Sequence, residues 1–127
     1  EKIQKIIISP GKIHKLIDGN KKKIILTTGS VQGLAKDIKS KKFKNYSLYS
    51  MPMWGMKAKN TAKNIIKRFD EIITIEDHFY DGGFGSWLKE CINNTKIKTI
   101  IKSKYINSNV LNEVGSKEYL LKKFGPK

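Results

Sequence analysis

The stretch IITIEDHFYDGGFGSWLKEC, residues 72–91, contains the pattern that decides the fold. The apolar run at its start is typical of a buried strand in a parallel sheet. Ionisable residues and three glycines follow, and then apolar residues at helical spacing. The stretch is either a catalytic site with a phosphate-binding turn or a tight connection from a strand to a helix.

Strand and helix patterns alternate on both sides of this stretch. Strands are predicted at residues 24–28, 45–50, 71–75 and 96–105. Helices are predicted at 29–42 with Ser30 as the cap, at 58–69, from near Gly85–Ser86 onward, and after Ser116. Upstream, Ile6–Ile8 and the apolar residues of 13–17 are predicted to enter the sheet as short extended pieces. This order predicts an α/β fold, a three-layer α/β/α sandwich with a mainly parallel sheet.

The length of 127 residues predicts a single domain spanning 1–127. Because the sequence opens at Glu1 without an initiator methionine, we expect a fragment or subunit of a larger protein. No apolar run approaches the roughly 20 residues that cross a bilayer. The single cysteine, Cys91, can form neither an internal disulfide nor a zinc cluster, which favours a cytoplasmic location. Cys91 is predicted to be a core residue.

The formal net charge is +15, which invites a nucleic-acid interpretation. Arg68 is the only arginine, however, and the lysines are scattered along the chain. Base recognition and bidentate phosphate contacts favour arginine. Solvated lysines are therefore the preferred explanation, and nucleic-acid binding is disfavoured.

The turn containing Gly82, Gly83, Gly85 and Ser86 permits two interpretations. Inward-facing amides and a helix N-terminus would form an anion-binding site. Alternatively, the glycines allow close packing and Ser86 is the N-cap of the helix. The spacing matches neither the P-loop nor the dinucleotide fingerprint, so the structural turn is favoured.

Glu76, Asp77 and His78 are candidates for acid–base chemistry. Strand alternation predicts Glu76 and His78 on one face and Asp77 on the other. No nucleophile with a neighbouring base is recognisable and no metal site is expected, so Glu76 and His78 are weak catalytic candidates. The loop MPMWGM, residues 51–56, is unusually apolar because it combines Trp54 with three methionines. It is predicted to form either a subunit interface or a flap over the sheet edge.

Taken with the order of elements, IITIEDHFYDGGFGSWLKECI resembles the C-terminal domain of transketolase-like, thiamine diphosphate-dependent enzymes. GKIHKLIDGNKKKIILTTGSVQGLAKDI is similar to the entry of that domain, and the resemblance runs from about Gly11 to the end. The turn is closest to deoxyxylulose-phosphate synthases and split transketolases. The loop after the second strand departs from the family pattern, which leaves the subfamily and substrate open.

The resemblance implies that thiamine diphosphate and Mg²⁺ are bound by other domains of the full enzyme and that this domain binds no cofactor. It implies a structural, dimerisation or regulatory role, with the cofactor-binding domains or subunit as partner and a homodimer as the assembly. The isolated chain is not expected to be active. The alternative is a free-standing anion- or nucleotide-binding α/β module that uses the Gly82–Ser86 turn.

Overall fold

The computed structural model describes residues 7–127, apart from the side chains of Ser30 and Met56. Ile6, predicted to begin an extended segment, lies outside the described residues. Five strands form one sheet in the order β1-β3-β2-β4-β5. They are β1 His14–Ile17, β2 Asn20–Thr27, β3 Tyr46–Ser50, β4 Glu71–Ile75 and β5 Ile100–Lys104. The helices are α1 Gln32–Lys42, α2 Lys59–Ile66, α3 Phe84–Ile92 and α4 Lys117–Phe124.

The sheet is parallel except at one edge. Strand β2 pairs in parallel with β3 and β4, and β4 pairs in parallel with β5. Strand β1 is antiparallel to β3, with an irregular register between Lys15 and Ile17. The chain reverses from β1 into β2 through Asp18 and Gly19, yet β3 lies between the two strands. The predicted mainly parallel sheet is confirmed.

Apolar residues of the central strands alternate between two cores. Ile24 and Leu26 of β2 point into a core with α2 and α3, while Ile25 points into a second core with α1. Strand β4 does the same, with Ile72 in the first core and Ile73 in the second. Both faces are therefore covered, which explains the continuous apolar runs and confirms the three-layer α/β/α sandwich.

The prediction that Ser30 caps the first helix is wrong. Residues Gly29–Val31 form a 3-10 turn, and α1 begins afterwards at Gln32. The prediction for Ser116 is confirmed, since its side chain accepts a hydrogen bond from the backbone N–H of Tyr119. In the described part of the chain, no helix is both long enough and apolar enough to span a membrane.

Candidate functional site

A buried carboxylate lies at the carboxyl end of the central strand β4. Glu76 directly follows β4, and its side chain is fully buried. Its backbone N–H donates to the Lys104 carbonyl at 3.1 Å, which extends the pairing with β5 by one residue. Its Oε2 atom accepts hydrogen bonds from the Gly85 backbone N–H at 2.9 Å and from the Thr74 hydroxyl at 3.0 Å. Glu76 thus joins the end of β4 to the start of α3, and we call Glu76 with its two donors, Thr74 and Gly85, the Glu76 clasp.

The environment of Glu76 acts on its pKa in two directions. Burial raises the pKa above its ordinary value, and the hydrogen bonds from Gly85 and Thr74 oppose that rise. The Oε1 atom is buried and has no hydrogen-bond partner among the described residues. Both Oε1 and the Phe79 carbonyl oxygen border the position that a Cβ on Gly83 would occupy, at 2.3 and 2.4 Å from it.

The glycines of the turn are required by close approach to this carboxylate. A Cβ on Gly83 would lie 2.3 Å from Glu76 Oε1 and 2.4 Å from the Phe79 carbonyl oxygen. A Cβ on Gly85 would lie 2.0 Å from Ser103 Oγ and 2.7 Å from Thr74 Oγ1. No side chain fits at either position. The spacing of Gly83 and Gly85 therefore reflects packing of α3 against the sheet.

Gly82 differs from the other two glycines because its backbone sets the turn. Its φ of +71° is in the left-handed region, and a Cβ there would meet nothing within 4 Å. Helix α3 then begins at Phe84 with Gly83 at the N-cap position and no side-chain cap. Ser86 lies inside the first turn of α3, so the prediction that Ser86 is the N-cap is wrong.

These amides decide between the two interpretations of the turn. The Gly85 N–H is bonded to Glu76 Oε2, and the Gly83 N–H is bonded to the Tyr80 carbonyl at 3.0 Å. The carboxylate of Glu76 already occupies the positive end of α3, where an external anion would bind. This geometry favours the structural turn.

Asp77 and His78 lie on the surface beside the buried carboxylate. His78 Nε2 is 3.5 Å from Asp77 Oδ1, with 55% of the histidine side chain exposed. The predicted alternation, with Glu76 and His78 together and Asp77 opposite, is wrong. Strand β4 ends at Ile75 and its pairing continues only to Glu76, so strand periodicity does not extend to Asp77 and His78. Glu76 turns inward, while Asp77 and His78 face the same cleft.

That cleft has a volume of about 360 Å³ and opens at the carboxyl edge of the sheet. Trp54 forms one wall, with its ring centroid 5.5 Å from that of Phe84 and 5.6 Å from that of Trp87. The loop before α3 and the segment after β5 complete it: Asp77, His78, Phe79, Asp81, Gly82, Gly83, Ile106 and Val110. The rim is thus mainly acidic and apolar.

The cleft provides little of what the cofactor predicted by resemblance would need. The carboxylates of Asp77 and Asp81 line it and would repel a diphosphate. Among the described residues, no group of three or more His, Cys, Asp or Glu side chains could hold a metal ion. The described lining of this cleft thus offers no group suited to a diphosphate or to Mg²⁺.

Two residues near the buried carboxylate were not anticipated from the sequence. Thr74 is buried in β4 and donates to Glu76, whereas Ser103 of β5 packs against Gly85, and its buried hydroxyl has no hydrogen-bond partner among the described residues. A hydroxyl in an otherwise aliphatic run, two residues before an acid, places both side chains on one face of a strand. That signal could have identified Thr74, whereas Ser103 requires knowledge of strand order.

Comparison with known proteins supports the fold. No family model matches the chain, and no curated protein matches it in sequence. A solved structure described as a split gene transketolase, in an inactive β4 tetramer, matches with a TM-score of 0.72 and 18% sequence identity. The match covers 96% of this chain and 40% of the solved chain. The sandwich built around the Glu76 clasp therefore has the fold of a transketolase C-terminal-like domain.

Proposed function

We propose that this chain is the C-terminal domain of a transketolase-like transferase and has a structural, dimerisation or regulatory role. The observation that carries the proposal is the extent of the match, which spans nearly all of this chain and 40% of a split-gene transketolase chain. The cofactor-binding domains would correspond to parts outside the match. They could belong to the same chain or to a separate subunit.

The site is well suited to supporting a neighbouring domain. The Glu76 clasp fixes both ends of the loop from Asp77 to Gly83, and the His78 carbonyl accepts a hydrogen bond from the Ile106 N–H at 3.0 Å. Phe79 remains 38% exposed on this fixed loop. A rigid loop that presents a ring and an imidazole can contact a partner with little loss of entropy.

In the full enzyme, we expect transfer of a two-carbon ketol unit to an aldehyde acceptor. Thiamine diphosphate, held with Mg²⁺ by the other domains, would supply the acyl-anion chemistry. The residues of this chain would orient those domains: Glu76 by holding the loop in place, and His78 and Phe79 by direct contact. A homodimeric assembly in a cytoplasmic setting belongs to the same proposal.

The test combines this chain with the cofactor-binding domains or subunit encoded with it and measures ketol transfer and oligomeric state. His78→Ala removes a surface contact, and Gly83→Val disrupts the loop. Lys41→Ala, an exposed change on α1, is the matched control. We expect both site variants to reduce activity or assembly and the control to leave them unchanged. Unchanged activity and assembly in both site variants would refute the proposal.

The alternative, a free-standing anion- or nucleotide-binding module at the Gly82–Ser86 turn, makes a different prediction. It requires the isolated chain to bind phosphate or nucleotide there, with perturbation of the Gly83 and Gly85 amide resonances. Both amides already donate within the chain. We therefore expect these resonances to stay unchanged in a phosphate titration.

A further inference from the structure

A second cavity lies far from the Glu76 clasp, near the amino ends of β2 and β4. Its volume is about 470 Å³, within the range of small-molecule sites. Its lining comes from β1, the turn into β2, β3 and the segment after α2: Lys15, Asp18, Lys21, Lys22, Ser47, Tyr49, Arg68 and Phe69.

Cationic side chains dominate this cavity. Four of the eight lining residues are cationic and one is a carboxylate. That carboxylate, Asp18, is 3.2 Å from Lys15 Nζ, and this hydrogen bond lowers its pKa, so it stays ionised and offsets Lys15. The Asp18 carboxylate also interacts with the charge of Lys21, whereas Lys22 and Arg68 have no carboxylate partner in the lining. Arg68 is the only arginine of the chain, and its guanidinium can form the planar fork that phosphate groups accept.

Several of these side chains are held in place by contacts that leave their N–H groups available. Lys22 Nζ donates to the Arg68 carbonyl at 3.2 Å, which uses one of its three hydrogens. The Arg68 guanidinium lies 5.6 Å from the ring centroid of Phe69, within range of a cation–π contact. Phe69 is buried and its ring packs against Tyr49 at 5.9 Å. The cavity is therefore partly preorganised, which reduces the entropy lost on binding.

Convergence distinguishes these cations from the scattered lysines elsewhere. At physiological ionic strength, charges on a protein surface are screened beyond about 8 Å. Lysines spread over the surface therefore act nearly independently, whereas those around one cavity act together on one ligand. A ligand with a single charge would gain little, and one with several adjacent charges would gain most.

We propose that this cavity binds a small molecule carrying a diphosphate or longer phosphate chain, with Lys21, Lys22 and Arg68 as its ligands. Ser47 and Tyr49 also line the cavity, and the uncharged part of such a molecule would contact them. This site is independent of the proposed transketolase-like role, which uses the opposite end of the sheet.

The experiment is a calorimetric and NMR titration of the chain with inorganic pyrophosphate at physiological salt. We expect saturable binding at one site, with shifts confined to residues around Lys22 and Arg68. Lys22→Ala combined with Arg68→Ala should weaken affinity at least ~10-fold. The control, Lys96→Ala with Lys98→Ala, removes the same charge from exposed positions outside this cavity and should change affinity less than ~2-fold.

A further variant keeps the test decisive if the double substitution unfolds the chain. Arg68→Lys retains the charge and removes the fork, and it should weaken pyrophosphate binding about 3-fold or more. Absence of saturable binding, or equal losses in the cavity and control variants, would overturn the proposal. A second overturning result would come from single-stranded oligonucleotides. If the affinity for them rises with their length and is unchanged by Arg68→Lys, the chain binds anions through non-specific charge attraction. The pyrophosphate titration does not depend on ketol transfer, so failure of the proposed phosphate site is distinguishable from failure of the proposed function.

Discussion

The buried carboxylate of Glu76 makes the sharpest prediction, because substitution by alanine should destabilise the fold strongly and substitution by glutamine should not. Glu76→Ala removes the acceptor of two buried donors, the Gly85 N–H and the Thr74 hydroxyl. An unsatisfied buried donor costs about 1–3 kcal/mol, and the vacated volume adds to this. We expect Glu76→Ala to lower the free energy of unfolding by roughly 3–5 kcal/mol.

Glu76→Gln retains an acceptor for Gly85 and Thr74 and removes the buried charge. Its amide also supplies a donor at the position of Oε1, which has no partner among the described residues. The candidate acceptor for this donor is the Phe79 carbonyl oxygen, which borders the same position beside Gly83 as Oε1 does. We expect Glu76→Gln to stay within about 1 kcal/mol of the natural chain at neutral pH, or to be more stable.

The pH dependence follows from the direction of the pKa shift. Burial raises the folded-state pKa of Glu76 above its ordinary value of 4.5. Its favourable contribution is therefore fully present below that value and is lost as pH rises through the folded-state pKa. Glutamine does not titrate, so Glu76→Gln should gain stability relative to the natural chain as pH rises. The slope of this difference is at most about 1.4 kcal/mol per pH unit.

The assay is urea unfolding followed by tryptophan fluorescence at several pH values between about 4 and 7. Glu90→Gln is the matched control, since Glu90 is a glutamate on α3, the helix that Glu76 contacts, and 59% of its side chain is exposed. Its partner Lys59 is 3.4 Å away, and an exposed pair of this kind contributes about 0–1 kcal/mol. If Glu76→Gln destabilises as much as Glu76→Ala, or its difference from the natural chain does not rise with pH, the reasoning about Glu76 is wrong.

Two further predictions concern α3 and the turn before it. Gly83→Ala should lower the free energy of unfolding by about 3 kcal/mol or more, since its Cβ would lie 2.3 Å from Glu76 Oε1. The control is Gly33→Ala, whose Cβ meets nothing within 4 Å and which should be neutral or stabilising by up to about 1 kcal/mol. Urea unfolding of both variants measures the difference, and equal effects would contradict the prediction. Burial raises the pKa of Cys91 to about 11, so its thiol should react with iodoacetamide at pH 8 far more slowly than in the unfolded chain. Mass spectrometry of the timed reaction measures this, and similar rates with and without denaturant would show that the thiol is accessible.

The sheet was predictable because its central strands are covered on both faces. Continuous runs such as Ile24–Leu26 and Ile72–Ile73 occur only where alternate side chains enter two cores, and the structure has them in two. The antiparallel pairing of β1 was less accessible. Residues 14–17 carry little periodicity, and the position of β1 depends on pairing with β3, a partner remote in sequence.

The candidate site was predictable in its location but not in its geometry. Ordinary alternation placed Glu76 with His78, and an acid at the end of a strand is usually exposed. The inward turn of Glu76 depends on α3 starting at Phe84, because only then does the Gly85 amide face the carboxylate. Positions of helix starts are weakly encoded where the cap is a glycine, as with Gly83, and the same weakness produced the error at Ser86.

The two ends of the sheet carry opposite charge, and this difference indicates where the chain can bind anions. At the carboxyl end, the positive terminus of α3 is neutralised internally by Glu76, and Asp77 and Asp81 add negative charge to the cleft. At the amino end, Lys21, Lys22 and Arg68 converge with only the paired Asp18 beside them. The glycine-rich turn, which draws attention in the sequence, is thus the poorer anion site. The proposed site is formed instead by residues up to 54 positions apart, Lys15 to Phe69, whose convergence depends on the strand order.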